Sequence, residues 1–155
     1  MTHAAVKDIA KDLSQEFPRS PRELLGGYVI AARTLDKCRA VLNHSQGEYK
    51  FNCPLDQRFF EFTGINAEEF KIFVESGASD DEVISWISQH ATSRPRIEII
   101  KWNNQLRGMR IGELPDDAQE FLEDYIPQHV PSNRPVYCWF DVYDLEEQRL
   151  TATPA

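Results

Sequence analysis

Apolar residues recur at three- and four-residue spacing over most of this chain, the periodicity of helices packed on one side. Ala5, Ile9 and Leu13 form a first stripe over 4–13. Phe17-Pro18-Arg19-Ser20-Pro21-Arg22 interrupts it with an extended segment, because a residue before proline is pushed out of helical angles. Leu25, Tyr28, Val29, Ala32, Leu35, Cys38 and Leu42 mark a helix over 25–42, with Arg33, Asp36, Lys37 and Arg39 on its other face. Asn43 to Gly47 reads as a turn, and Tyr49 and Phe51 as a short extended piece. Cys53-Pro54 opens the next helix: proline suits the first helical position, and Asp56 suits the positive end of the helix. That helix runs through Phe59, Phe60 and Phe62 to a stop at Gly64. Asn66 with Glu69, and Ser79 with Glu82, cap two further helices carrying Phe70, Phe73 and Val74, then Val83, Ile84, Trp86 and Ile87.

The C-terminal part is less uniform. Ile99, Trp102, Leu106 and Met109 keep helical spacing, whereas 97–100 also fits a strand. Pro115 to Ile126 is a clear helix with an acidic first turn. Val136, Phe140 and Tyr143 fit a helix, and Val136, Cys138, Phe140 and Val142 fit a strand. The helix is favoured because 144–148 continues it. The expectation is an all-α, compact single domain over 1–155 built from six to seven short helices, with room for one short strand or hairpin.

Composition narrows the class. With 155 residues, 41% hydrophobic and 27% charged, the chain has the makeup of one globular domain. No apolar run approaches the roughly 20 residues a membrane helix needs, and no secretory leader is apparent, so no membrane partner is expected. Cys38, Cys53 and Cys138 form no C-x-x-C pair, and an odd number suits a reducing compartment; a cytoplasmic location follows. Residues 1–60 hold nine Lys/Arg and seven Asp/Glu, while 61–155 hold eight and eighteen. The net charge of −8 argues against nucleic acid as a partner. The same asymmetry allows the acidic part to dock on the basic part of a second copy as a homodimer.

Several blocks resemble an uncharacterised bacterial family, one of the domains of unknown function. They are Pro18-Arg19-Ser20-Pro21-Arg22-Glu23, Leu25-Gly26-Gly27-Tyr28-Val29, Ala32-Arg33-Thr34-Leu35-Asp36-Lys37 and Asn52-Cys53-Pro54-Leu55-Asp56-Gln57, continuing through Phe60-Glu61-Phe62-Thr63-Gly64-Ile65. The resemblance implies a small stand-alone protein with no established activity or cofactor. It transfers no catalytic residue.

Two constellations carry candidate chemistry. Cys53 at a helix start would have its thiolate stabilised by unpaired backbone N–H groups, although Asp56 in the same turn opposes this and a buried structural cysteine is the ordinary alternative. Arg19, Arg22, Arg33, Lys37 and Arg39 form a basic set with Tyr28 and Tyr49 nearby, and guanidinium forks suit carboxylate or phosphate. Gly26-Gly27 at a helix start would add exposed N–H groups. The plainer reading is a solvated, salt-bridged helix face. His3, His44, His90 and His129 are scattered without metal-ligand spacing, so no metal is expected. The leading functional expectation is a non-catalytic binding module for a small anionic ligand or acidic partner segment. Its proposed site comprises Arg19, Arg22, Tyr28, Arg33, Arg39, Tyr49, Asn52 and Asp56. The alternative is a thiol-dependent enzyme or redox-responsive protein acting through Cys53.

Overall fold

Proline and capping residues set the joints of this all-α protein. The computed structural model describes residues 6–149; the expected first-helix positions Ala4 and Ala5, and His3, lie outside the described residues. The helices are α1 (Val6–Ile9), α2 (Ala31–Leu42), α3 (Pro54–Thr63), α4 (Ala67–Glu75), α5 (Asp80–His90), α6 (Arg96–Arg107), α7 (Asp116–His129) and α8 (Trp139–Glu146), with a 3-10 turn at Ile111–Glu113. Eight α-helices lie among the described residues, in line with the expected number of about six to seven short helices. No strand or hairpin forms there, only isolated bridges joining Leu25 to Tyr28 and Arg110 to Cys138.

Helix starts follow the local chemistry. Asn66 accepts the Glu69 backbone N–H at 3.0 Å, and Ser79 and Glu82 satisfy one another's N–H groups at the start of α5. Pro54 and Pro115 sit at or just before their helices. Several boundaries differ from expectation, among them the end of α7, which runs to His129 rather than Ile126. The stripe over 4–13 ends early, because the Asp12 carboxylate accepts the Ser14 backbone N–H at 3.0 Å and folds the chain into a turn. The helix expected from 25 begins at Ala31, since Gly26 and Gly27 lie at φ 61° and 91° in a turn closed by the Leu25–Tyr28 bridge. Residues around Tyr49 and Phe51 form turns rather than an extended piece. The two ambiguous stretches resolve separately. Residues 96–107 are helical throughout, whereas 136–137 belong to no element, Cys138 is extended and only Trp139 onward is helix.

The described residues form two compact units, 6–99 and 100–149, and α6 spans the point where the chain passes from the first to the second. In the first, α2 touches α1, α3 and α4. All ten residues from Ala31 to Ala40 are buried, four of them charged. The core around α2 includes Ile30, Leu35, Leu55, Phe59, Phe70, Val74, Val83 and Ile87. Phe59, Phe60 and Phe70 meet edge to face at 5.4 to 6.5 Å between ring centroids, a favoured aromatic geometry. In the second unit, Leu106, Met109, Leu114, Leu122, Trp139, Phe140 and Val142 are buried. The Trp139 backbone N–H bonds the Met109 carbonyl at 2.8 Å beside the Arg110–Cys138 bridge.

Candidate functional site: a buried ionic lattice ending at Cys53

Burying the charged face of α2 requires partners for each charge, and the fold supplies them. Arg33, Asp36, Lys37 and Arg39 are 2%, 4%, 3% and 6% exposed, so this face is neither solvated nor open. The Pro18–Pro21 segment is laid along it, with the Ile30 backbone N–H bonded to the Pro21 carbonyl at 2.8 Å. From that segment Arg19 gives its backbone N–H to Asp36 at 2.8 Å, and its Nη2 to the same carboxylate at 3.0 Å. Arg19 Nη1 reaches Asp80 at 2.8 Å, and Arg39 Nη1 takes the other oxygen of Asp80 at 2.9 Å. Arg39 Nη2 also donates to the Ala78 carbonyl at 2.9 Å, and Arg33 Nη1 to the Arg19 carbonyl at 3.3 Å. Burial alone would push the Asp80 carboxyl up, but hydrogen bonds and charge from Arg19 and Arg39 override it and hold it below its ordinary value. Burial likewise works against the charge on Arg19, and Asp36 and Asp80 more than offset it, raising its pKa.

One turn along α2 the lattice reaches a sulfur. Lys37 Nζ lies 2.9 Å from Asp56 Oδ2 and 3.1 Å from Cys53 Sγ. Asp56 is fully buried, its Oδ1 accepts the Thr34 hydroxyl at 2.6 Å, and its Oδ2 also accepts the Cys53 backbone N–H at 3.4 Å. Cys53 stands where a serine or threonine ordinarily caps a helix, with Asp56 as the third helical residue. Thr34 and Lys37, three apart on α2, and Cys53 and Asp56, three apart at the start of α3, thus meet as two facing pairs. The Cys53 side is half-buried, whereas the lysine behind it is sealed.

The other residues singled out from sequence disperse. Arg33 lies 5.5 Å from the Tyr49 ring centroid, so these two remain together. Tyr28 instead joins the aromatic cluster, edge-on to Phe59 at 5.6 Å and Phe62 at 6.3 Å, and burial raises its pKa against the opposing charge of Arg94. Arg22 is half-buried, and its backbone N–H bonds the Ser20 hydroxyl at 3.0 Å. Asn52 is exposed at φ 61°, its carbonyl accepting from Gln57 at 3.0 Å. Gly26-Gly27 precedes α2 by a turn and so contributes no helix N-terminus. A shallow hollow of about 380 Å³ between α4 and α5 is lined by Phe73, Asp81, Glu82, Ser85, Trp86 and Gln89, none of them among these residues. Among the described residues, no group of His, Cys, Asp and Glu is placed to hold a metal ion, and no helix is long and apolar enough to cross a membrane.

Three partners escaped the sequence reading: Thr34, Asp80, and Lys37 in its role beside sulfur. Thr34 and Lys37 share a helix face by spacing, but nothing local ties that face to Cys53. Asp80 reads as an ordinary acidic first turn.

The fold is all-α, with a buried lysine–carboxylate pair under a helix-capping cysteine. The chain belongs to the DUF5069 family, a domain of unknown function, whose model matches residues 15–149, in keeping with the expected resemblance to a family of that kind. No curated protein matches the chain.

Proposed function

We propose that this is a thiol-dependent, redox-responsive protein whose reacting atom is Cys53 Sγ. One observation carries the reading: a buried ammonium group, Lys37 Nζ, 3.1 Å from that sulfur. The ammonium donates a hydrogen bond to Sγ at the start of α3, so positive charge and a fixed donor meet the reacting atom. Asp56, which sequence alone sets against the thiolate, spends its charge on Lys37 and Thr34. Cys138 is a natural comparison, since it caps α8 with Asp141 as third residue yet has no lysine in hydrogen-bonding reach among the described residues. Iodoacetamide alkylation of the native protein, followed per cysteine across pH, tests the reading. Cys53 should react several-fold faster than Cys138 near neutral pH, and K37M should remove that advantage. Equal rates for the two cysteines, or no effect of K37M, would sink it.

The second reading is the small-anion or acidic-partner module, supported by the gathering of Arg19, Arg33, Lys37 and Arg39 around one helix. It is the weaker of the two, because Arg19 and Arg39 spend their forks on Asp36 and Asp80. Thermal-shift titration with phosphorylated metabolites and dicarboxylates checks it, and no stabilisation at millimolar concentration would dismiss the small-ligand form.

A further inference from the structure

We infer that oxidation by a peroxide joins Lys37 to Cys53 through a covalent nitrogen–sulfur bond, making the pair a reversible cross-link between α2 and the start of α3. The inference rests on the thiol reading above and adds the fate of the oxidised sulfur. A cysteine sulfenic acid is short-lived and condenses with the nearest suitable nucleophile, ordinarily a thiol or a nitrogen. Within residues 6–99 the other thiol is Cys38, which is 0% exposed and whose pKa burial pushes up to about 12. The nucleophile in contact with Cys53 is therefore an amine, 3.1 Å away and held in place by Asp56.

The chemistry balances with hydrogen peroxide as oxidant. The Cys53 thiol takes one oxygen from the peroxide, giving a sulfenic acid and water; sulfur is oxidised and the peroxide oxygen–oxygen bond is reduced. Lys37 must lose a proton before its lone pair can attack, and Asp56 Oδ2, 2.9 Å away, receives it. Nζ then forms a bond to Sγ, the sulfur–oxygen bond breaks, and the hydroxyl leaves as water with a second proton from the nitrogen. The product is a sulfenamide between Nζ and Sγ, with Asp56 protonated and no net charge left in its buried site. An added thiol reverses the step: it attacks Sγ, returns the amine to Lys37 and forms a mixed disulfide, which a second thiol reduces. Because Lys37 is sealed behind the half-buried cysteine, the oxidised sulfur meets this amine from inside the protein while peroxide arrives from outside.

The test treats the full-length folded protein with hydrogen peroxide, blocks residual thiols, and maps peptides by mass spectrometry without reductant. The expected product lacks two hydrogens relative to the reduced protein, shows no tryptic cleavage after Lys37, joins the Lys37 and Cys53 peptides, and reverts with dithiothreitol. Trapping with dimedone, run in parallel, reports the sulfenic acid. A dimedone adduct at Cys53 without any joined peptide overturns the cross-link while leaving the thiol reading intact. Neither adduct nor cross-link, with Cys53 still reduced, overturns both. A joined product heavier by one oxygen overturns the condensation step. K37R should keep the dimedone adduct and lose the joined peptide, and persistence of the joined peptide in K37R excludes Lys37. Should K37R fold poorly, the wild-type peptide map decides alone.

Discussion

Arg39 extends from the last turn of α2 to place Nη1 2.9 Å from Asp80, the first residue of α5. The same carboxylate holds Arg19 at 2.8 Å, so one side chain at a helix start joins that helix, α2 and the proline-flanked segment. Asp80 remains 41% exposed on its side chain while Arg39 is only 7% exposed, and this inequality sets what its loss does. D80N leaves a buried guanidinium short of its anion, costing about 1–2 kcal/mol after allowance for solvent at Asp80. Urea unfolding at neutral pH measures it. The carboxyl is held below its ordinary 3.8, so the stability it contributes is present above that value and is lost as pH falls through the lower folded value. The gap between wild type and D80N should therefore stay constant near neutrality and close below about pH 3.8. A gap that widens in acid contradicts the assignment.

Lys37 and Asp56 form a second and deeper pair, and removing one member should hurt more than removing both. D56N strands a buried ammonium and is expected to cost about 3–5 kcal/mol, whereas the K37M/D56L double substitution replaces the pair with apolar volume and should cost clearly less. T34V removes only the 2.6 Å hydroxyl bond to Asp56, an expected loss of about 1–2 kcal/mol. Denaturant midpoints order the three. A double variant as unstable as the sum of its parts would contradict the pairing.

The three cysteines should label in a fixed order. Cys38 is fully buried and its thiol is pushed up to about 12, so iodoacetamide should spare it in the native state and reach it only after unfolding. Native labelling of Cys38 at a rate near that of Cys138 would show that α2 opens readily.

The turn at Gly47 makes a further stability test. Gly47 sits at φ 57° with its would-be Cβ 3.0 Å from the Leu13 carbonyl oxygen, whereas Gly27, at φ 91°, has nothing within 4 Å of that position. G27A carries backbone strain alone, about 1–2 kcal/mol, and G47A adds a clash with main chain, so its melting temperature should fall further. Equal losses would mean that the Leu13 segment moves aside easily.

Much of the helical layout was legible because it is written locally. Asn66, Ser79 and Pro54 act on residues within one turn of themselves, and they mark their helices correctly. The start of α2 was not legible, since Ile30 reaches its helix through φ 74°, a value no β-branched residue adopts unless its surroundings impose it. The four charges on α2 have the spacing of a solvent face, and only the Pro18–Pro21 segment and α3, placed by tertiary packing, turn that face inward. For the same reason Cys53 was legible as a helix start but not as a neighbour of Lys37. They lie sixteen positions apart in the chain, and no periodicity spans the intervening turns.

An α-helix in which ten successive residues are shielded from water has no wet side at which to begin fraying. Amide protons from Thr34 to Ala40 should therefore exchange with deuterium only when the surrounding layer comes apart, making this stretch the slowest clock in residues 6–99. Any chemistry that ties Lys37 to its neighbour would act on that clock directly, so a surface oxidation event would be read out as a change in how often the interior opens.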